Sequence, residues 1–284
     1  MSAPARVGVL GGGRMGAGIA HAFLLAGADV RVVERDADAA GEARARILEA
    51  VGRSAQKGTA DAAPEALAAA LRVHSDIARL ADRTLVIEAL PEDRDLKRAA
   101  LARLEDIVSP GCALATNTSS ISIDALAGAL EHPARFLGLH FFNPVPASQL
   151  VEVVVGSATD PDLIGRATGW VEALGKQAIV VRDVPGFASS RLGVALGLEA
   201  IRMLEDGVAS AEDIDRAMEL GYRHPLGPLR TTDLVGLDVR LGIAEELEAA
   251  HGERFAAPAL LRRMVAEGRL GRKSGSGFYE WSER

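Results

Sequence analysis

The chain has 284 residues, enough for one large or two medium domains. Hydrophobic residues make up 48% and charged residues 25%, the balance of a globular protein that buries a core. A net charge of -7 without a basic stripe excludes a binder of nucleic-acid backbones, and no apolar run is long enough for a membrane span. Cys112 is the single cysteine, which excludes a disulfide framework and cysteine-based zinc sites, and the six histidines form no H-x-x-x-H pair, so no metal site is expected. With no signal-peptide pattern at the N-terminus, the expected location is the cytoplasm.

Residues 7–10 read as a short apolar strand that runs into three glycines, and a helical pattern starts at once. Gly11, Gly13 and Gly16 fit G-x-G-x-x-G. Gly11 allows a tight turn off the strand. Gly13 leaves room for the backbone to approach a pyrophosphate, and Gly16 lets the helix pack close to the strand. The helix N-terminus supplies N–H groups and a positive dipole end to an anion. After Gly27 comes a second strand, 30–34, whose Glu34 lies 18 residues beyond Gly16, near the spacing of an acid that binds an adenosine ribose. A carboxylate there repels a 2′-phosphate and favours NAD over NADP, although Arg31 and Arg35 flank it. The other reading of Glu34 is a solvated strand-end charge.

Residues 38–71 are Ala-rich, charged and helical in pattern, interrupted near Gly58 and Pro64. They read as a helical hairpin with Lys57-Gly58 at its tip, either a solvated pair or an insertion that meets substrate. Strands at 71–73 and 84–89 follow, then Pro91-Glu92-Asp93, a helix at 95–108 and a strand at 112–116 that leads into Asn117-Thr118-Ser119-Ser120. Both polar clusters lie at carboxyl ends of strands, where ligands bind in open α/β sheets. The alternation of strand and helix predicts a parallel doubly wound sheet.

Residues 136–142 form another strand, broken by Asn143-Pro144-Val145-Pro146, followed by strands at 150–155 and 177–181. From Asp183-Val184-Pro185-Gly186-Phe187 to about Gly268 the pattern is helical, with a capping-box-like start at Ser210. The change of pattern puts a domain boundary near 184, with an α/β domain over 1–184 and an all-α domain over 185–284. There is no internal repeat.

Glu152 is the oddity, a carboxylate in a strand otherwise made of Leu and Val. A buried carboxylate needs a partner. His140, one strand earlier between Leu139 and Phe141, is the candidate. A buried His–Glu pair fixes the imidazole tautomer and stabilises the imidazolium, as oxidation of an alcohol to a carbonyl requires. The plain alternative is a core histidine and an outward-facing glutamate. Ser119 is placed to hydrogen-bond a reacting hydroxyl, or else belongs to cap chemistry for a helix starting near Ile121. A Ser–His–Glu hydrolase triad is disfavoured, because no Gly-x-Ser-x-Gly elbow surrounds Ser119 and the glycine loop would have no role.

Together these motifs resemble the short-chain L-3-hydroxyacyl-CoA dehydrogenase family, across essentially the whole chain. The resemblance rests on the glycine loop with Met15, on Val86-Ile87-Glu88-Ala89-Leu90-Pro91-Glu92, on Asn117-Thr118-Ser119-Ser120 and on Gly138-Leu139-His140-Phe141-Phe142-Asn143-Pro144. It continues through Leu150-Val151-Glu152-Val153, Asp183-x-Pro185-Gly186-Phe187 and Gly271-Arg272-Lys273-Ser274-Gly275-x-Gly277-Phe278-Tyr279. It implies a Rossmann-like doubly wound sheet with a helical-hairpin insertion, followed by an all-α domain that makes a homodimer and closes the substrate cleft. It implies that His140, oriented by Glu152, is the acid/base and that Ser119 contacts the substrate hydroxyl. NAD is the implied cofactor, with contacts at Gly11, Gly13, Met15, Gly16, Glu34, Glu92, Lys97, Asn117 and Asn143. The implied substrate is a CoA thioester, touched by Ser119, Asn117, Ser190 and Lys57. Two departures stand on the substrate side. Ser190 occupies the position of a family asparagine, and Ala147-Ser148-Gln149 replaces a bulkier Met followed by Lys. Serine is shorter and offers only a hydroxyl, so a carrier-bound thioester or a free hydroxy acid stays open beside 3-hydroxybutyryl-CoA, as does a non-enzymatic NAD binder.

Overall fold

The computed structural model describes residues 3–281. The chain divides into two compact units, one ending at Val184 and the other beginning at Pro185.

The first unit is built on one eight-stranded sheet. Its strands are β1 (Arg6–Leu10), β2 (Asp29–Val33), β3 (Leu71–His74), β4 (Leu85–Glu88), β5 (Ala113–Thr116), β6 (Phe136–Phe141), β7 (Leu150–Val155) and β8 (Gln177–Arg182). They lie in the order β3-β2-β1-β4-β5-β6-β7-β8. The chain leaves β1 towards β2 and β3, then returns through β4 on the other side, so the strand order reverses between β1 and β4. That reversal opens a crevice at the carboxyl ends of the strands. Strands β4, β5 and β6 are buried along their whole length, as expected for near-continuous Val/Ile/Leu runs covered on both faces.

The sheet is parallel except for one pairing. β7 runs antiparallel to β6, with His140 directly opposite Glu152. The doubly wound sheet is thus mixed, with its one antiparallel pairing at β6 and β7. The reason is local: the Asn143–Pro146 turn reverses the chain within a few residues, whereas a parallel neighbour needs a crossover of a dozen or more.

Helix α1 (Arg14–Leu25) follows the glycine loop and buries Ile19, Ala20, Phe23 and Leu24 in the main core. Helix α2 (Ala37–Gln56) is N-capped by Asp36, whose carboxylate accepts from Ala39 N. It is paired with only a short return helix, α3 (Pro64–Ala69), so the hairpin is one long arm and one short arm, with Gly58 in left-handed backbone at its turn. Helices α4 (Arg94–Ile107), α5 (Ile123–Ala127) and α6 (Pro161–Ala173) complete the unit. The N-cap of α5 is Ser122, whose Oγ accepts from Ala125 N, so a helix cap at 117–120 is corrected. That frees the polar cluster for other partners.

The second unit contains α7 (Ser189–Glu205), α8 (Ala211–Gly221), α9 (Pro228–Val235), α10 (Leu237–His251) and α11 (Ala259–Ala266) around a core that includes Val194, Leu198, Ile201, Leu229 and Leu247. Two buried aspartates fasten its C-terminal segment. Asp233 accepts from Phe278 N, Tyr279 N and Trp281 Nε1. Asp215 accepts from Leu229 N, Arg230 N and the Tyr279 hydroxyl. Burial, reinforced by that bond to Asp215, raises the Tyr279 phenol above its ordinary range. The glycine-rich stretch 271–279 thus docks onto α8 and α9. Among the described residues, no helix is long and apolar enough to cross a membrane, and no cluster of His, Cys, Asp or Glu is placed to hold a metal ion.

Candidate active site

The glycine loop sits at the crevice. Gly11 has φ +97°, and a Cβ there would lie 2.7 Å from Ala89 O. At Gly16 a Cβ would lie 1.8 Å from Gly11 O, so the helix can start here only if this residue has no side chain. Gly13 differs: nothing lies within 4 Å of its added Cβ, and it is exposed. Its bareness serves something outside the protein. Helix α1 has no side-chain N-cap and no acidic residue in its first turn, so its leading N–H groups face outward with the positive dipole end uncompensated.

Glu34 bends back over this loop and accepts from Gly12 N at 2.7 Å and from Arg35 N at 3.1 Å. On the other side, Arg46 donates to Gly12 O at 2.8 Å. Gly11, Gly13, Met15, Glu34, Leu90 and Pro91 help line a cavity of about 970 Å³. A loop with no room for side chains at Gly11 and Gly16, an uncapped helix N-terminus and a carboxylate at the end of β2 fit a dinucleotide.

The His140–Glu152 pair lies further along the same sheet edge. His140 Nδ1 and Glu152 Oε2 are 2.7 Å apart, and both residues are buried. The Phe142 ring packs against the imidazole with centroids 4.5 Å apart. The antiparallel register puts the two residues face to face. With Glu152 ionised, Nδ1 carries the proton of that bond and the basic lone pair resides on Nε2.

The Asn117–Ser120 turn leaves β5, whose Thr116 is in register with Gly138 of β6. Asn117 Oδ1 accepts from Phe141 N at 2.9 Å, which ties the turn to the strand end that carries His140. Glu92 holds the rest. Its Oε1 accepts from Thr118 Oγ1 at 2.5 Å, Ser119 N at 2.8 Å, and Ser120 N and Oγ at 3.1 and 3.2 Å. Burial pushes the Glu92 carboxyl upward as the largest single influence. The nearby Lys97 ammonium and the bonds from Thr118, Ser119 and Ser120 outweigh it and hold the carboxyl below its usual range. Lys97, itself buried, donates to Glu88 Oε1 at 2.7 Å and to Leu90 O at 3.0 Å.

Glu88 was not singled out as a site residue in the sequence. It is fully buried and also accepts from Leu90 N and Thr116 Oγ1. The signal that flags Glu152, a carboxylate in an apolar strand, is equally present in Leu85-Val86-Ile87-Glu88. Asn143 is exposed just beyond the end of β6, and the Asn143–Pro144 peptide is cis. The following loop is pinned by buried Lys176, which donates to Val145 O and Ser148 O. Lys57 is exposed at the C-cap of α2. Ser190 belongs to the second unit, in the first turn of α7.

A nucleotide cradle and a buried His–Glu pair on one edge of a doubly wound sheet define an NAD-dependent dehydrogenase of the Rossmann type. Comparison with known proteins narrows the class. Residues 6–184 match the NAD binding domain of 3-hydroxyacyl-CoA dehydrogenase, and residues 186–281 match its C-terminal domain. A 3-hydroxybutyryl-CoA dehydrogenase of Mycobacterium tuberculosis is 44% identical over 281 residues, covering 97% of this chain and 98% of the relative. One of Bradyrhizobium diazoefficiens is 40% identical, covering 97% and 95%. The crystal structure of (S)-3-hydroxybutyryl-CoA dehydrogenase from Ralstonia eutropha superposes with a TM-score of 0.94 at 37% identity, covering 99% of this chain and 100% of that one. The chain belongs to the 3-hydroxyacyl-CoA dehydrogenase family. It is an NAD-dependent oxidoreductase that interconverts 3-hydroxyacyl-CoA and 3-oxoacyl-CoA.

Proposed function

We propose that His140 is the general acid/base of this reaction, that Glu152 orients it, and that Ser119 and Asn117 meet the substrate around the reacting oxygen. The observation that carries the reading is the 2.7 Å His140–Glu152 pair on the sheet edge that also bears the glycine loop. In the oxidative direction His140 Nε2 takes the hydroxyl proton, and the buried Glu152 carboxylate stabilises the resulting imidazolium. Bound NAD supplies the hydride acceptor. In the reverse direction the imidazolium returns the proton to the forming alkoxide. The Ser119 hydroxyl donates to the same oxygen, held in place by the turn that Glu92 fixes. The contacts assigned to Gly11, Gly13, Met15, Gly16 and Glu34 hold the cofactor, with Lys97, Glu92, Asn117 and Asn143 towards its nicotinamide end.

The acyl group is short, as in the substrates named for the relatives, and Lys57 meets the CoA moiety. Ser190 stands at the position of the asparagine that contacts substrate in the family pattern, and it offers only a hydroxyl in place of an amide. Steady-state rates with acetoacetyl-CoA, longer 3-oxoacyl-CoA esters and the same acyl groups on a carrier protein test this assignment. The expected order puts short CoA esters first, with Ser190→Asn changing kcat/KM for acetoacetyl-CoA by less than about tenfold, the scale of one lost hydrogen bond. A higher kcat/KM for the carrier-bound ester would overturn the CoA assignment.

The working form is a cytoplasmic homodimer joined through the helical unit. Exposed Leu192 on α7, Leu234 and Val235 on α9 and Val239 on α10 support this. Sedimentation equilibrium is expected to give twice the 29.7 kDa chain mass. A single-chain mass at assay concentration would contradict it.

A further inference from the structure

We propose that Glu88, too deeply buried to touch substrate or cofactor, is the positioning residue for the Ser119 turn and acts on it through Lys97 and Glu92.

Glu88 ends β4, in register with Leu10 on one side and Thr116 on the other. Those neighbours lead directly into the glycine loop and the Asn117–Ser120 turn. The Glu88 carboxylate is 0% exposed and accepts three bonds: from Leu90 N at 2.5 Å, Thr116 Oγ1 at 2.6 Å and Lys97 Nζ at 2.7 Å. Lys97 lies in the first turns of α4. Its ammonium also donates to Leu90 O and faces Glu92 Oε2 at 3.4 Å. From Glu92 the chain of contacts passes to Thr118, Ser119 and Ser120 through its other oxygen.

The order of burial gives the chain its direction. Glu92 is 39% exposed, so its side chain alone would sample several rotamers. Lys97 restrains it, and Lys97 is itself immobilised because Glu88 offers a dry, fully bonded counter-charge. An isolated buried ion pair is a poor stabilising device, since an apolar pair of similar volume does as well or better. Here the pair has a second output. Charge-assisted bonds run from the rigid sheet to the Thr118–Ser120 stretch, just beyond Asn117, whose N–H makes the last ladder bond, to Glu88 O. Ser119 N is one of the donors so held, and its hydroxyl is the group assigned to the reacting oxygen. The proposal rests on that assignment.

The substitution Glu88→Gln keeps the shape and removes the charge that anchors Lys97. In ligand-free protein the amides of Ser119 and Ser120 are then expected to exchange with deuterium about tenfold faster, as a turn that opens more often would. In the loaded enzyme kcat is expected to fall about tenfold or more, the scale set by a misplaced contact. In a Ser119→Ala background the same substitution is expected to change kcat by less than about twofold, because the two act in series.

Unaltered exchange at Ser119 and Ser120, or an equal loss of kcat in both backgrounds, would overturn the proposal. Near-wild-type turnover of Ser119→Ala alone would instead count against the role given to Ser119, while the exchange rates still judge the tether. If Glu88→Gln does not fold, the double variant Glu88→Gln/Lys97→Met removes the buried ion pair whole, leaves no buried charge unpaired and keeps the direct Thr118 N to Thr116 Oγ1 bond of the turn. Faster exchange at the turn is again expected, and unchanged exchange refutes the link.

Discussion

Replacing His140 with glutamine is expected to lower kcat about a thousandfold, within the range that positioned acid–base groups supply, while NADH binding stays within about twofold of wild type. The side chain sits opposite Glu152 in the antiparallel register and bonds it at 2.7 Å. A glutamine amide can still donate to the Glu152 carboxylate, so the buried charge is not abandoned. It has no lone pair basic enough to take a proton, so the chemical step alone is struck. Glu152→Ala removes the partner instead and is expected to cost less in kcat than His140→Gln, because the imidazole remains. Stopped-flow rates with acetoacetyl-CoA and NADH, paired with NADH fluorescence titration, separate binding from chemistry. Turnover of His140→Gln within about tenfold of wild type would remove His140 from the acid/base role.

The second large effect is at Gly16. An alanine there would place Cβ 1.8 Å from Gly11 O, a backbone atom that no rotamer change can move aside. The expected cost is at least about 3 kcal/mol, the upper end for overpacking, with loss of measurable NAD affinity. Gly13→Ala provides the contrast. Gly13 has φ −60° and open space around its added Cβ, so the variant is expected to melt at the wild-type temperature and still bind NAD more weakly. A thermal melt and an NAD titration on both variants decide the matter. Normal NAD affinity in Gly16→Ala would mean that the loop can open without it.

The sheet was readable because its strands are short Val/Leu runs separated by helical patterns. The strand–glycine–helix junction at residues 7–19 announces itself in local spacing alone. Glu152 was readable because a carboxylate among valines demands a partner, and the short Pro-containing turn after Phe141 leaves His140 as its neighbour across the sheet. Glu88 carries the same signal yet passes unnoticed, because Lys97 reaches it only once α4 folds back over β4. The cap at Ser122 is hidden by the run of hydroxyl residues before it, any of which satisfies the same preference. Asp215 and Asp233 are least legible of all. The donors to Asp233, and the Tyr279 hydroxyl that bonds Asp215, lie at the far end of the unit's sequence, in a segment whose conformation those bonds set.

In the proposed reaction His140 takes a proton as the C3 hydrogen leaves as hydride. A substrate of 3-hydroxybutyryl-CoA carrying deuterium at C3 tests it directly. The expected result is reduced cofactor that retains the deuterium, with 3-oxobutyryl-CoA formed in equal amount and a rate that collapses in His140→Gln. Deuterium released to water, or cofactor reduction that proceeds undiminished without His140, would contradict it.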